Sequence, residues 1–221
     1  MGMIKFVPNI LTIVRLGMTV VFLAMILYAP GPGAANRGAY MDVAFVLFVV
    51  AGLTDIVDGH IARRFNVTSK LGRILDPLAD KVLVCGAFIC FAIIGEPRLF
   101  GWSRGELAII QWGTAAILIL REAYVTILRQ IAESRGVNFA ATLSGKLKMF
   151  LQSFAIGTVI IKMGHVQTAE WGYWFTSVTY GLMLGATVIS GIRATQRTSW
   201  KEAAKAGSAA VSGSEKRCPS L

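Results

Sequence analysis

Long apolar stretches separated by short charged or turn-rich segments set the pattern of this chain. Six windows of about 20 residues carry few charges, at roughly 9–29, 41–62, 73–95, 106–131, 144–164 and 171–193. Each is long enough to cross a hydrocarbon core as a helix, and no alternation of the barrel type accompanies them. The pattern therefore predicts an all-α integral membrane protein, a bundle of six transmembrane helices. A soluble bundle is the competing class, but six such windows leave too little polar sequence to cover it.

The connections are short and rich in turn formers, as in "APGPGAANRG" at 29–38 and "GEPRLFGWSRG" at 95–105, so residues 1–193 read as one membrane domain. After Arg193 the chain becomes small, polar and basic, and 194–221 reads as a disordered cytoplasmic tail. The apolar run near the start is longer than that of a cleaved signal peptide and contains Arg15, which favours a retained helix.

Composition agrees with this class: 55% of the residues are hydrophobic, 15% are charged, and the mean hydropathy is +0.62. Charge adds orientation. Lys5, Arg63, Arg64, Lys70, Arg73, Arg129, Arg135, Lys146, Lys148 and Arg193 fall on one side of the expected bundle, with Arg37, Arg98, Arg104 and Lys162 on the other. Retained loops are enriched in Lys and Arg, so both termini are expected in the cytoplasm. The formal charge of +10 then suits anionic lipid head groups, and no nucleic-acid motif is present. Three cysteines, Cys85, Cys90 and Cys218, form neither a disulfide framework nor a zinc spacing.

One charged segment stands apart, "DIVDGHIARRFNVTSKLGRILDPLAD" at 55–80. Asp55 and Asp58 are three apart at the end of the second window, and Asp76 and Asp80 are four apart at the start of the third. Each pair therefore shares a helix face. Four uncompensated carboxylates within a membrane bundle would repel one another and lose hydration. Divalent cations remove that penalty, and hard oxygen donors favour Mg²⁺ or Mn²⁺, with room for two ions that clamp a phosphate. Gly59 and Gly72 would let a diphosphate approach the backbone, and Arg63 offers a bidentate phosphate contact. Alternatively, the charges could form solvated interfacial Asp–Arg pairs.

Read as a pattern, Asp55-x2-Asp58-Gly59-x2-Ala62-Arg63-x8-Gly72-x3-Asp76-x3-Asp80 resembles the complete signature of the CDP-alcohol phosphotransferase family. The resemblance extends to "PNILTIVRLG" at 8–17, "LDPLADKVLV" at 75–84 and the segment 120–152. It implies a membrane enzyme that moves a substituted phosphate from a CDP-linked lipid to an alcohol and releases CMP. It further implies that Asp55, Asp58 and Asp76 are metal ligands, that Asp80 is both ligand and base, and that Gly59, Ala62, Arg63 and Gly72 line the nucleotide.

The signature is shared by enzymes with different acceptors. Arg121, Arg129, Lys146 and Lys148 place cations near the same ends of the fourth and fifth helices, where Arg121, Lys146 and Lys148 could surround a second phosphate. Segment 120–152 is similar to the corresponding region of phosphatidylglycerophosphate synthases. The expected substrates are thus CDP-diacylglycerol and glycerol 3-phosphate, in a homodimer among membrane lipids at a bacterial inner membrane. A cardiolipin synthase of the same family, using phosphatidylglycerol, is the near alternative. An aromatic prenyltransferase explains Asp76 and Asp80 but not the first pair, and a transporter or structural bundle would need acids in mid-helix. Gly181-x3-Gly185 is a close-packing motif, usable within the bundle or between copies. Trp102, Trp112, Trp171 and Trp174 suit an interfacial aromatic belt, and neither His60 nor His165 has a ligand-spaced partner.

Overall fold

The computed structural model describes residues 7–65, 70–134 and 143–215, with side chains left out at 7–11, 55–77, 133, 143–144, 146 and 197–215. The described residues form six helices and no strand: α1 (Val7–Leu27), α2 (Arg37–Phe65), α3 (Lys70–Ile94), α4 (Arg104–Ser134), α5 (Leu143–His165) and α6 (Glu170–Glu215). Three of them carry stretches long and apolar enough to cross a membrane: Arg37–Thr54, Leu147–His165 and Glu170–Gln196. In α1 the described apolar stretch, Thr12–Leu27, is shorter.

Helix ends follow local chemistry. Gly95 takes a φ of +71° just past α3, and the Glu96 N–H donates to the Phe91 carbonyl at 2.9 Å, which closes α3 with a left-handed cap. At the start of α4, Ser103 N–H and Oγ each lie 2.8 Å from Glu106 Oε2, while the Glu106 N–H donates back to Ser103 Oγ at 3.3 Å. This reciprocal capping satisfies backbone donors that have no helical partner.

The principal contacts close a ring, α1–α2–α5–α6–α4–α3 and back to α1, with α3 also touching α5 across the middle. Its interior holds Phe22 and Ile26 of α1, Phe48 of α2, Phe88 and Phe91 of α3, Ile156 and Ile160 of α5, and Tyr180 and Met183 of α6. Phe88 meets Phe91 and Tyr180 edge to face, with centroids 6.1 and 5.8 Å apart. Outward faces are also apolar: Val20, Val21, Val43, Val46, Ile109, Leu120, Leu182 and Ile192 are exposed. A soluble protein seldom presents so continuous an apolar surface, whereas hydrocarbon covers it without cost.

Beyond Arg193, α6 continues without a break to Glu215. The segment "KEAAKA" at 201–206 is made of strong helix formers, and a helix already nucleated by packed residues extends through it cheaply. Gly181 and Gly185 both face outward, and among the described residues no neighbouring helix comes within 4 Å of a Cβ built at either, so this pair makes no close packing with the described part of the bundle.

A different glycine pair does. A Cβ on Gly164 would lie 3.0 Å from Met41 Cβ, and one on Gly38 would lie 3.4 Å from the His165 ring, where the start of α2 crosses the end of α5. We expect Gly164→Val to push these helices apart and cost about 1–3 kcal/mol, read as a lower Tm in detergent. Gly181→Ala, on the open face, should keep or raise Tm. Equal Tm values for Gly164→Val and the parent chain would contradict this packing.

Candidate active site

The site is best built outward from Asp80, on α3. Ala79 beside it is buried against the bundle, while the Asp80 side chain is 33% exposed and so remains reachable by water and polar ligands. Arg15 of α1, fully buried, donates Nη2 to Asp80 Oδ1 and forms an ion pair with it. A guanidinium in an apolar helix needs such a partner, and the pair fixes the carboxylate in place. Arg15 thus joins the candidate site through Asp80, whereas sequence reasoning used it merely as an argument about the first helix. The signal available was a charge inside an apolar window.

Next to Asp80, Lys81 donates Nζ to Thr126 Oγ1 of α4 at 2.5 Å, and that hydroxyl donates to the Glu122 carbonyl at 2.6 Å. Glu122 itself sits between the two described cations expected to bind an acceptor phosphate. Its Oε1 accepts from Arg121 Nη1 at 3.0 Å and from Lys148 Nζ of α5, both as ion pairs. Arg121 Nη2 reaches Ser190 Oγ of α6 at 2.5 Å, and Arg121 Nε is buried without a hydrogen-bond partner. A line of polar contacts thus runs through α1, α3, α4, α5 and α6.

The structure brings Arg121 and Lys148 together on Glu122, which sequence reasoning did not single out although it adjoins Arg121 in the chain. Its presence changes the electrostatics: two cations now face one carboxylate, so the group keeps a net positive charge instead of two. A phosphate entering here would meet a partly compensated pair, held in place before it arrives.

The remaining expected site residues are placed through their helices. Asp55, Asp58, Gly59, Ala62 and Arg63 lie on the last turns of α2, and Gly72 and Asp76 lie on the first turns of α3. Lys146 belongs to the first turn of α5, two residues before Lys148. The side chains of all eight lie outside the described ones. Among the described residues, no group of three or more His, Cys, Asp or Glu forms a metal cluster. The donor set nevertheless suits a hard divalent cation, because it consists of carboxylates and its described member, Asp80, is accessible.

Comparison with known proteins defines the class. The model of the CDP-alcohol phosphatidyltransferase family matches residues 5–189, and the chain belongs to that family. Among similar proteins is a "Probable phosphatidylglycerophosphate synthase" of Mycobacterium tuberculosis (strain ATCC 25618 / H37Rv), 35% identical over 155 residues. That match covers 70% of this chain and 66% of the Mycobacterium protein. A CDP-diacylglycerol–glycerol-3-phosphate 3-phosphatidyltransferase of Bacillus subtilis (strain 168) is 31% identical over 160 residues, 70% of this chain and 76% of its own length. One named in the same way from Rickettsia typhi is 31% identical over 157 residues, covering 71% and 77%.

Glu122 gives a direct prediction. Glu122→Gln leaves Arg121 and Lys148 facing each other without their acid, and should destabilise the protein by about 3–5 kcal/mol. Adding Lys148→Met should restore part of that loss, since the second change removes the uncompensated charge. Additive losses in a thermal-unfolding cycle would show that the two side chains do not interact.

Proposed function

We propose that the protein transfers the phosphatidyl group of CDP-diacylglycerol to sn-glycerol 3-phosphate, giving phosphatidylglycerophosphate and CMP. The observation that carries this reading is the convergence of Arg121 and Lys148 on Glu122, linked through Thr126 and Lys81 to the position of Asp80. A net positive group beside the reacting carboxylate suits an acceptor that brings its own phosphate. The names of the Bacillus and Rickettsia relatives support glycerol 3-phosphate as that acceptor. Phosphatidylglycerol, the acceptor of a cardiolipin synthase, would place a lipid phosphodiester there instead.

In this reading Asp80 takes the proton from the primary hydroxyl of glycerol 3-phosphate. The hydroxyl oxygen forms a bond to the lipid phosphorus as the bond from that phosphorus to the CMP oxygen breaks. Arg15 keeps the Asp80 carboxylate in register with the hydroxyl. Arg121, Lys146 and Lys148 hold the acceptor phosphate, while Gly59, Ala62, Arg63 and Gly72 line the cytidine nucleotide. Asp55, Asp58, Asp76 and Asp80 would hold Mg²⁺ or Mn²⁺, two ions in all, which when bound neutralise diphosphate charge.

All six helices are read as spanning the membrane, with the aspartate end and both termini on the cytoplasmic side of a bacterial inner membrane, where the Lys and Arg excess lies. The domain then comprises 1–193, followed by the basic extension 194–221. The outward Gly181 and Gly185 suit contact with a second copy in a homodimer.

Purified protein given CDP-diacylglycerol and Mg²⁺ should release CMP with glycerol 3-phosphate in preference to phosphatidylglycerol, inositol phosphate or serine. Asp80→Asn should lower turnover by roughly 10²-fold or more. Lys148→Met should raise KM for glycerol 3-phosphate by about 10-fold or more, with KM for CDP-diacylglycerol nearly unchanged. Faster CMP release with phosphatidylglycerol would reassign the protein to cardiolipin synthesis, and full activity after exhaustive chelation would remove the metals from the mechanism.

A further inference from the structure

The end of the bundle remote from the aspartates holds a second concentration of charge. Along α2, Arg37 lies about 27 Å from Asp55 at the usual helical rise, close to the thickness of a hydrocarbon core. Arg37 is buried, with Nε on the Met163 carbonyl at 2.7 Å, Nη1 on the Pro30 carbonyl at 2.8 Å and Nη2 on Glu96 Oε1 at 3.3 Å. Arg98 pairs with the same carboxylate at 3.7 Å but leaves 59% of its side chain exposed. Lys162, 5% exposed, donates to the Arg98 carbonyl at 2.6 Å and stands 4.6 Å from the Tyr173 ring centre. Three cations therefore face one acid, in a region where burial makes unbalanced charge costly.

Two cavities meet at Lys162. One, of about 220 Å³, is lined by the charged side chains of Glu96, Arg98 and Lys162 together with Gln167 and Tyr173 among others. The other, of about 450 Å³, is an apolar groove open to the side between α2, α5 and α6, with Phe45, Phe48, Phe154, Ile161 and Phe175 on its walls. Lys162 lines both, so a chamber whose charged walls carry surplus positive charge adjoins a lateral apolar slot. A free anion would satisfy the chamber and leave the slot empty, and a hydrocarbon chain alone would do the reverse. A molecule with a phosphate joined to an acyl chain fills both.

We propose that this is a binding site for an anionic phospholipid of the leaflet opposite the reaction site, with its phosphate at Arg98 and Lys162 and one acyl chain in the groove. It is separate from the substrate site, since it lies a membrane's thickness away and shares no residue with it. The charge complementarity selects an anionic over a zwitterionic head group. An acyl chain there would cover Phe154 and Phe175, which the fold leaves exposed.

The test uses the full chain, delipidated in a non-ionic detergent and titrated with phosphatidylglycerol or with phosphatidylcholine of the same chain length. Bound lipid is counted by native mass spectrometry. The parent chain should bind one phosphatidylglycerol at least about 10-fold more tightly than phosphatidylcholine. Arg98→Gln, an exposed change that leaves the core intact, should bring phosphatidylglycerol down to the phosphatidylcholine level. Ile161→Trp, which fills the groove, should weaken both lipids, and neither change should alter KM for glycerol 3-phosphate. Equal affinity for the two lipids in the parent chain overturns the proposal, as does unchanged affinity in either variant. A change of oligomeric state in Ile161→Trp with lipid binding intact overturns it too, and makes the groove a seat for a second copy.

Discussion

A charge drawn into an apolar bundle must find an opposite charge there or leave, and the described polar structure of this protein follows from that constraint. Arg15 is fully buried and its partner is Asp80 on the neighbouring helix. Lys148 and Arg121 are drawn in on α5 and α4 and meet on Glu122. The Arg15–Asp80 and Lys148–Glu122 contacts join helices that share mostly apolar packing elsewhere, and apolar packing alone tolerates sliding between helices better than ion pairs do. The ionic contacts therefore fix the height of α1 against α3 and of α4 against α5, and the Lys81–Thr126 hydrogen bond ties α3 to α4. Such pairs contribute little net stability compared with hydrophobic substitutes, so their presence points to a positional role.

The two ends of the bundle use this constraint differently. At the aspartate end, an accessible carboxylate paired with α1 and a positive group shared by α4, α5 and α6 are joined through the Lys81–Thr126 bond, an arrangement suited to moving a charged group between charged substrates. At the other end, Arg37 and Glu96 lock the α2 start to the α3 cap and the last turn of α5, and the left-handed Gly95 turn is what brings Glu96 inward. Tyr173, Trp174 and Trp102 gather around Phe100 at that level, with ring centres 5.1–6.1 Å away, as aromatic side chains do at the edge of a hydrocarbon layer. The bundle is thus clamped at both ends by charge and filled between them by Phe, Ile and Met.

The helices were legible because apolar windows of membrane length have few alternative structures, and the first five end within a few residues of the expected limits. The apolar stretch of the sixth, Glu170–Gln196, matches its window, while the helix itself runs on to Glu215 through a segment whose Ala, Lys and Glu favour helix. The aspartate signature was legible from spacing along two helices. Arg15 and Glu122 were not, because their partners lie 65 residues away for the Arg15–Asp80 bond and 26 residues away for the Lys148–Glu122 bond, and no local period encodes a contact between helices. Gly181-x3-Gly185 carried a motif for close approach but not the direction in which it faces.

The central claim is that Arg15 serves the reaction by holding Asp80, not by binding either substrate. Steady-state kinetics of Arg15→Gln and Arg15→Lys, with folding checked by thermal unfolding in detergent, test it most directly. The account predicts that Arg15→Gln lowers kcat by about 10-fold or more, that KM for CDP-diacylglycerol and for glycerol 3-phosphate each change by less than about 3-fold, and that Arg15→Lys recovers part of the rate. Unchanged kcat in a folded Arg15→Gln protein, or a loss carried entirely by KM for one substrate, would contradict it.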